Sequence, residues 1–145
     1  YRTTALFAGV WRSQNKKEHM TDYKDKPISN INPSHYRSDD IECIEVVRHM
    51  SFCQGNAIKY LWRLGQKDAA EQELKKALWY MDDLLEHNWP GTVVNIIDID
   101  KDIYTRSIEY LHSNKQADAP VKQALSLLII GNIAGAKQAL LSMLP

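Results

Sequence analysis

Residues 55–86, G-N-A-I-K-Y-L-W-R-L-G-Q-K-D-A-A-E-Q-E-L-K-K-A-L-W-Y-M-D-D-L-L-E, decide the fold of this chain. In the first half, Ile58, Leu61 and Trp62 recur at helical spacing and form an apolar stripe. The second half repeats the pattern with Leu74, Ala77, Leu78, Met81, Leu84 and Leu85. Gly65 interrupts the periodicity between the two halves. The stretch therefore predicts a helical hairpin.

The rest of the chain is expected to add helices around this hairpin. A helix over residues 40–50, N-capped by the Ser-Asp-Asp run at 38–40, is predicted to pack on it. After the stop signal at Pro90 and Gly91, capping residues and apolar periodicity predict shorter helices, whose apolar faces need burial on the hairpin or between subunits. The predicted fold is all-α, a helix plus helical hairpin core with a C-terminal appendage. The boundaries are 1–31 for an extended or disordered N-terminal arm, 32–89 for the core and 90–145 for the appendage.

Composition limits the classes of partner. Lys and Arg together count 18, as do Asp and Glu, so the net charge is zero and no global field attracts nucleic acid or an anionic membrane. No apolar run has the length of a bilayer span and no signal peptide is recognisable, so we expect a cytoplasmic protein with no membrane or nucleic-acid partner. Cys43 and Cys53 lack metal-ligand spacing and are predicted to be free thiols.

The polar residues of the hairpin point to a local anion site. Asn56, Lys59, Tyr60, Arg63 and Lys67 recur at helical period on a face apart from the apolar stripe. The second half carries its own polar row of Glu73, Lys76, Tyr80 and Asp83. No glycine-rich phosphate loop is present, so any grip on phosphate must come from side chains. The alternative is that the cations form a solvated helix face and the aromatics belong to the core.

Two other groups of residues carry polar chemistry. In N-P-S-H-Y, residues 32–36, Ser34, His35 and Tyr36 place three hydrogen-bonding groups side by side. The alternative, which this stretch alone favours, is a helix-entry turn with a satisfied surface histidine. Glu42 and Glu45 stand three residues apart on one helix face. That spacing can hold a divalent cation such as Mg²⁺, but surface helices also produce it often.

Four motifs in order carry a family resemblance: N-P-S-H-Y, D-D-I-E-C-I-E-V-V, G-N-A-I-K-Y-L-W-R-L-G-Q-K and E-L-K-K-A-L-W-Y. Over roughly residues 32–87 the chain resembles the small nucleotide kinase family of T-odd coliphages and other phages. The resemblance implies an all-helical homo-oligomer in the host cytoplasm. It also implies phosphorylation of deoxynucleoside monophosphates, thymidine and guanine nucleotides among them, with a nucleoside triphosphate as donor. The sequence departs from the family at Glu73, where an Asp is usual.

The leading hypothesis is therefore a nucleotide-binding phosphotransferase, because positioned positive charge is the main requirement of phosphoryl transfer. Lys59 and Arg63 are assigned catalytic roles in holding phosphate, and His35 is a candidate acid or base. The substrate-binding residues are predicted to be Ser34, Tyr36, Asn56, Tyr60, Lys67, Lys76 and Tyr80. Mg²⁺ is compatible with the sequence but not required by it.

Two alternatives stay open. Glu42-x-x-Glu45 and Asp83-x-x-Glu86 resemble the paired acidic helices with which all-α nucleoside triphosphate pyrophosphohydrolases hold magnesium, which would activate a water. The other alternative is a protein that binds and sequesters nucleotides without turning them over, because the cations and aromatics suffice for binding.

Overall fold

A computed structural model of the protein describes residues 41–145. The six α-helices of this part are α1 (Cys43–Val47), α2 (Phe52–Trp62), α3 (Ala70–Glu86), α4 (Lys101–Ser113), α5 (Ala119–Ile129) and α6 (Ile133–Leu140). Two short 3-10 turns, Ile96–Asp98 and Leu141–Met143, complete the regular structure. No strand occurs in this part of the chain, and the predicted all-α class is confirmed.

The first helix is shorter than predicted and begins later. Its N-cap is Glu42, and its first residue is Cys43 rather than Ile41. Glu42 and Glu45 form a reciprocal capping box, in which each carboxylate accepts a hydrogen bond from the other residue's backbone N–H. The capping run expected at 38–40 lies outside the described residues. A capping box satisfies two backbone N–H donors, whereas a single Ser or Asp side chain at the N-cap satisfies one of them. This difference explains why the helix starts at Cys43.

The hairpin prediction is confirmed in α2 and α3. Ile58, Leu61 and Trp62 are all buried, and so is the stripe of α3 except Leu85, which is 43% exposed. Gly65, in the turn that follows α2, has a φ of +77°, a conformation that costs glycine little and other residues more. The prediction for Glu73 is wrong, because this residue was placed on a polar row and is fully buried in the structure.

The C-terminal helices bury their apolar faces against the hairpin, which was the first of the two predicted possibilities. α5 packs on α2 and α6 packs on α3, while α5 and α6 pair closely with each other. Their buried residues belong to the same hydrophobic cluster as those of α2 and α3. An ion pair of 2.6 Å between Lys137 on α6 and Asp82 on α3 lies at the same junction.

A buried glutamine fixes the linker between the hairpin and these helices. The Nε2 group of Gln54 donates to the carbonyls of Val94 (2.7 Å) and Leu128 (2.8 Å), and its Oε1 accepts from the N–H of Val94 (2.7 Å). Residues 93–97, for which a strand or a buried linker was predicted, therefore run as a linker that ends in a 3-10 turn. Buried Ile96 anchors the turn in the core.

The later helices begin as predicted. Asp100 caps α4 by accepting hydrogen bonds from the N–H groups of Asp102 and Ile103. Pro120, which lies in the first turn of α5, follows the N-cap Asp118. Within the described residues, no helix combines the length and apolar content that crossing a bilayer requires.

Candidate functional site

The polar face of the hairpin is centred on the ring of Tyr60. Three cationic groups approach its centroid: Lys59 Nζ at 4.7 Å, Arg63 Cζ at 5.1 Å and Lys76 Nζ at 5.5 Å. All three distances are within the range of attraction between a cation and an aromatic ring. Helical period grouped Lys59, Tyr60 and Arg63 in the first half of the hairpin and placed Lys76 on the polar row of the second half. The structure brings the four residues together from both helices. We call Lys59, Tyr60, Arg63 and Lys76 the cation cluster.

A row of aromatic rings extends from the cluster. Tyr80 stacks on Tyr60, with ring centroids 6.0 Å apart and planes at 14°, and meets Phe52 edge-on at 5.9 Å. Trp79 contacts Tyr80 edge-on at 5.1 Å and is 64% exposed. We call Tyr60, Tyr80 and Phe52 the aromatic row. Phe52 is exposed, whereas Tyr60 and Tyr80 are partly buried against the core. The uncovered parts of these rings are available to stack on a planar ligand.

Arg63 differs from the two lysines in its surroundings. It is buried, and its Nε lies 3.4 Å from Oε1 of Glu73, whose other oxygen accepts a hydrogen bond from the N–H of Gly65 at 2.9 Å. Glu73 therefore joins the end of α2, the interhelical turn and the start of α3. The guanidinium is held in one place by this contact, whereas Lys59 and Lys76 have room to reach for a ligand.

Lys76 of the cation cluster also has an acidic neighbour, and the other predicted ligand-binding residues Lys67 and Asn56 lie outside the cluster. Lys76 Nζ is 3.9 Å from Oδ2 of Asp68, a long and partly exposed ion pair that competes weakly with another anion. Lys67 lies exposed in the interhelical turn. Asn56 donates to the carbonyl of Phe52 at 2.7 Å, so its amide already bonds its own helix.

The predicted metal pair has other contacts. Glu45 accepts a hydrogen bond from the N–H of Glu42 at 2.8 Å and pairs with Arg106 of α4 at 3.1 Å. These contacts, the backbone hydrogen bond first and then Arg106, lower the pKa of the Glu45 carboxyl below its usual value. Across residues 41–145 no group of three or more His, Cys, Asp or Glu side chains is placed to hold a metal ion.

The two cysteines are free thiols, as predicted. Burial raises the pKa of the Cys43 thiol to about 12, although the nearby charges of Lys59 and Arg63 act in the opposite direction. Burial first, and then the Asp83 carboxylate, raise the pKa of Cys53 to about 11. Both thiols are therefore protonated near neutral pH.

Sequence reasoning missed one further group at the end of the hairpin. Cys53 donates to Oδ2 of Asp83 at 3.2 Å, and Nδ1 of His87 lies 3.4 Å from the other oxygen of that carboxylate. The ring of His87 meets that of Trp89 edge-on at 5.5 Å. The spacing of Asp83 and His87, four residues apart on α3 and its C-cap, was the available signal. No signal in the sequence indicated that Cys53, on the other helix of the hairpin, would bond to Asp83.

The N-P-S-H-Y motif cannot be placed in this geometry. Ser34, His35 and Tyr36 lie outside the described residues, so their predicted roles in closing the site and in proton transfer remain predictions.

Comparison with known protein families gives a match over part of the described hairpin. Residues 30–82 match the model of DUF3310, a protein family of unknown function. The matched segment contains α1, α2 and most of α3, and with them every residue of the cation cluster and Glu73. No curated protein and no solved structure matched the chain. The matching family model therefore coincides with the part of the chain that builds the candidate site.

Proposed function

We propose that this protein is a nucleotide-binding phosphotransferase that phosphorylates deoxynucleoside monophosphates with a nucleoside triphosphate as donor. The observation that carries the proposal is the convergence of three cations within 5.5 Å of the Tyr60 ring. Phosphoryl groups carry several negative charges, and their transfer is accelerated chiefly by positioned positive charge. The resemblance to phage nucleotide kinases agrees with this use of the cluster.

The members of the cation cluster are proposed to have different roles because their side chains differ in mobility. Lys59 and Lys76 are partly exposed side chains and are proposed to contact phosphate oxygens directly. Arg63 is proposed as a fixed positive charge, which Glu73 orients and partly neutralises. The stacked pair of Tyr60 and Tyr80 then supports the nucleoside. In this scheme no proton donor is needed until the product leaves, which is the step at which His35 is proposed to act.

A second candidate function is nucleotide binding without turnover. The ion pair of Arg63 favours this candidate. Because Arg63 has a buried carboxylate partner, its charge stabilises the hairpin and need not be reserved for catalysis. Lys59, Lys76 and the aromatic row suffice for recognition of a phosphorylated ring compound. Such a protein would sequester nucleotides, and the family resemblance implies that it would do so as a homo-oligomer.

The pyrophosphohydrolase alternative receives less support from the described contacts. Glu45 is engaged by Arg106 and by the N–H of Glu42. Asp83 is engaged by Cys53 and His87. Magnesium would have to compete with these contacts at both acidic pairs.

One experiment separates the three candidates. The full chain is incubated with each deoxynucleoside monophosphate and a triphosphate donor, with and without Mg²⁺, and the nucleotides are separated by ion-exchange chromatography. Formation of a deoxynucleoside diphosphate supports the kinase, and release of pyrophosphate supports the hydrolase. Tight binding by calorimetry with unchanged nucleotides supports sequestration.

The matched variants are Lys59→Ala and Lys115→Ala. Lys115 is an exposed lysine outside the cation cluster, so its loss should leave binding and turnover unchanged. Lys59→Ala should reduce both by at least about tenfold, because a charged hydrogen bond to phosphate is worth roughly 1.5 to 3 kcal/mol. Equal behaviour of the two variants would remove the cation cluster from the proposal.

A further inference from the structure

A cavity of about 340 Å³ opens at the end of the hairpin opposite the cation cluster. Phe52, Asp83, His87 and Trp89 contribute to its lining. Phe52 and Tyr60 are eight residues apart on α2, about 12 Å along the helix axis. The ring of Tyr80 contacts both of them, at 5.9 and 6.0 Å, and therefore lies between the cavity and the cation cluster.

The cavity combines uncovered aromatic rings with a carboxylate. Phe52 is 75% exposed and Trp89 is 66% exposed, unusually high fractions for large apolar side chains. Asp83 lies at the same place, and although its oxygens contact Cys53 and His87, a carboxylate has lone pairs left to accept hydrogen bonds from further N–H donors. Cys53 also lines the cavity, and its thiol is protonated and bonded to Asp83, so it is a poor nucleophile near neutral pH. These features suit reversible binding of a flat molecule with N–H donors.

The charges at the two ends of the aromatic row are opposite in kind. The Asp83 carboxylate at the cavity repels phosphate, whereas Lys59 and Lys76 at the other end attract it. A nucleotide has the same polarity, with a planar base that carries N–H groups at one end and phosphates at the other. In the nucleotide, one sugar lies between the base and the phosphates. In the protein, the ring of Tyr80 lies between the cavity and the cation cluster.

We infer that the cavity lined by Phe52, Asp83 and Trp89 is the base-binding subsite of a nucleotide whose phosphates lie at the cation cluster. This inference rests on the proposed function and adds the orientation of the ligand. The base stacks on Trp89 and Phe52, and its N–H donors face Asp83. The ribose or deoxyribose crosses Tyr80.

The test compares a nucleotide with a ligand that has phosphates and no base. Deoxynucleoside monophosphates and inorganic pyrophosphate are titrated by calorimetry into the full chain, and into Trp89→Ala and Lys59→Ala. Trp89→Ala should weaken nucleotide binding about tenfold and leave pyrophosphate binding within about twofold. Lys59→Ala should weaken both ligands. Ile99→Ala, which removes another exposed apolar side chain away from the cavity, is the control and should change the affinity for neither ligand.

The other outcomes separate this inference from the proposed function. Equal effects of Trp89→Ala on both ligands, or no effect on either, would overturn the base subsite while binding by the cation cluster stands. If the wild type binds neither ligand, both proposals fail.

A second copy of the chain is the rival occupant of the exposed rings, and light scattering on the same samples tests it. A mass that is unchanged by Trp89→Ala supports the subsite. A mass that falls with Trp89→Ala assigns the rings to an interface between copies and overturns it.

Discussion

Arg63 and Glu73 form an ion pair with both side chains shielded from solvent, one at the end of α2 and the other in the first turn of α3. Nε and Oε1 are 3.4 Å apart, and the side chains are 5% and 0% exposed. The pair fixes how the two halves of the hairpin meet, and it sets the position of one member of the cation cluster. The carboxylate of Glu73 therefore links the stability of the hairpin to the geometry of the cation cluster.

Replacing Glu73 by Gln should destabilise the protein strongly. The variant keeps the size of the side chain but removes the negative charge that faces a buried guanidinium, a loss on the order of 3 kcal/mol. Urea unfolding at neutral pH measures it as a lower midpoint with an unchanged slope.

Two other variants serve as controls for that measurement. Glu71→Gln removes an exposed partner of Lys75 from the same helix and should change the midpoint little. Glu73→Asp keeps the charge on a shorter side chain and should recover part of the stability. If Glu73→Gln and Glu71→Gln have the same midpoint, the buried pair does not stabilise the fold.

The sequence predicted the hairpin because apolar periodicity reports which side of a helix is buried. Ile58, Leu61 and Trp62 are buried as that rule requires. Glu73 was misplaced on the polar side because the rule treats every charged residue as solvated. Its burial depends on a partner in the preceding helix and on the N–H of Gly65, which no pattern within α3 reports.

The candidate site was predictable in its composition and not in its architecture. Helical spacing grouped Lys59, Tyr60 and Arg63, which share α2, but the addition of Lys76 required the two helices to meet in a particular register. The cavity beside Phe52 depends on the path of the chain after His87, where Pro and Gly indicate only that the helix stops.

Lys59 should behave as a functional and not a structural residue. Its ammonium group sits among like charges near Tyr60, so Lys59→Met removes repulsion and keeps the apolar part of the side chain. The free energy of unfolding should stay equal or rise by less than about 1 kcal/mol, while affinity for nucleotides falls. Urea unfolding and calorimetry on one preparation measure both. A large loss of stability would show that the cluster is structural.

Two glycines with nearly the same backbone conformation should respond differently to alanine. Gly91 has a φ of +82° and open space around it, so Gly91→Ala should cost only the conformational penalty, about 1 kcal/mol. Gly131 has a φ of +84°, and a Cβ there would lie 2.9 Å from Cγ1 of Val93. Gly131→Ala should therefore cost more, by about 1 to 3 kcal/mol.

Thermal unfolding of the two glycine variants gives the comparison directly. The combined variant Gly131→Ala with Val93→Ala removes the clashing methyl group and should recover part of the difference. Equal melting temperatures for Gly91→Ala and Gly131→Ala would mean that the linker moves away from α5 at no cost.

Glu45 should make stability depend on pH in the acid range. Its pKa is lowered in the folded protein, first by the hydrogen bond from the Glu42 N–H and also by Arg106, so the folded state binds its proton less readily than the unfolded state. The stabilisation is therefore fully present above the unfolded value of about 4.5 and is lost as pH falls through the lower folded value. Glu45→Gln should lower the urea midpoint at pH 7, and the gap from wild type should close as the pH falls below the folded pKa of Glu45. Asp102→Asn, which removes a more exposed acidic partner of Arg106, should show a smaller gap at pH 7. A gap for Glu45→Gln that persists at low pH would assign its effect to packing instead of charge.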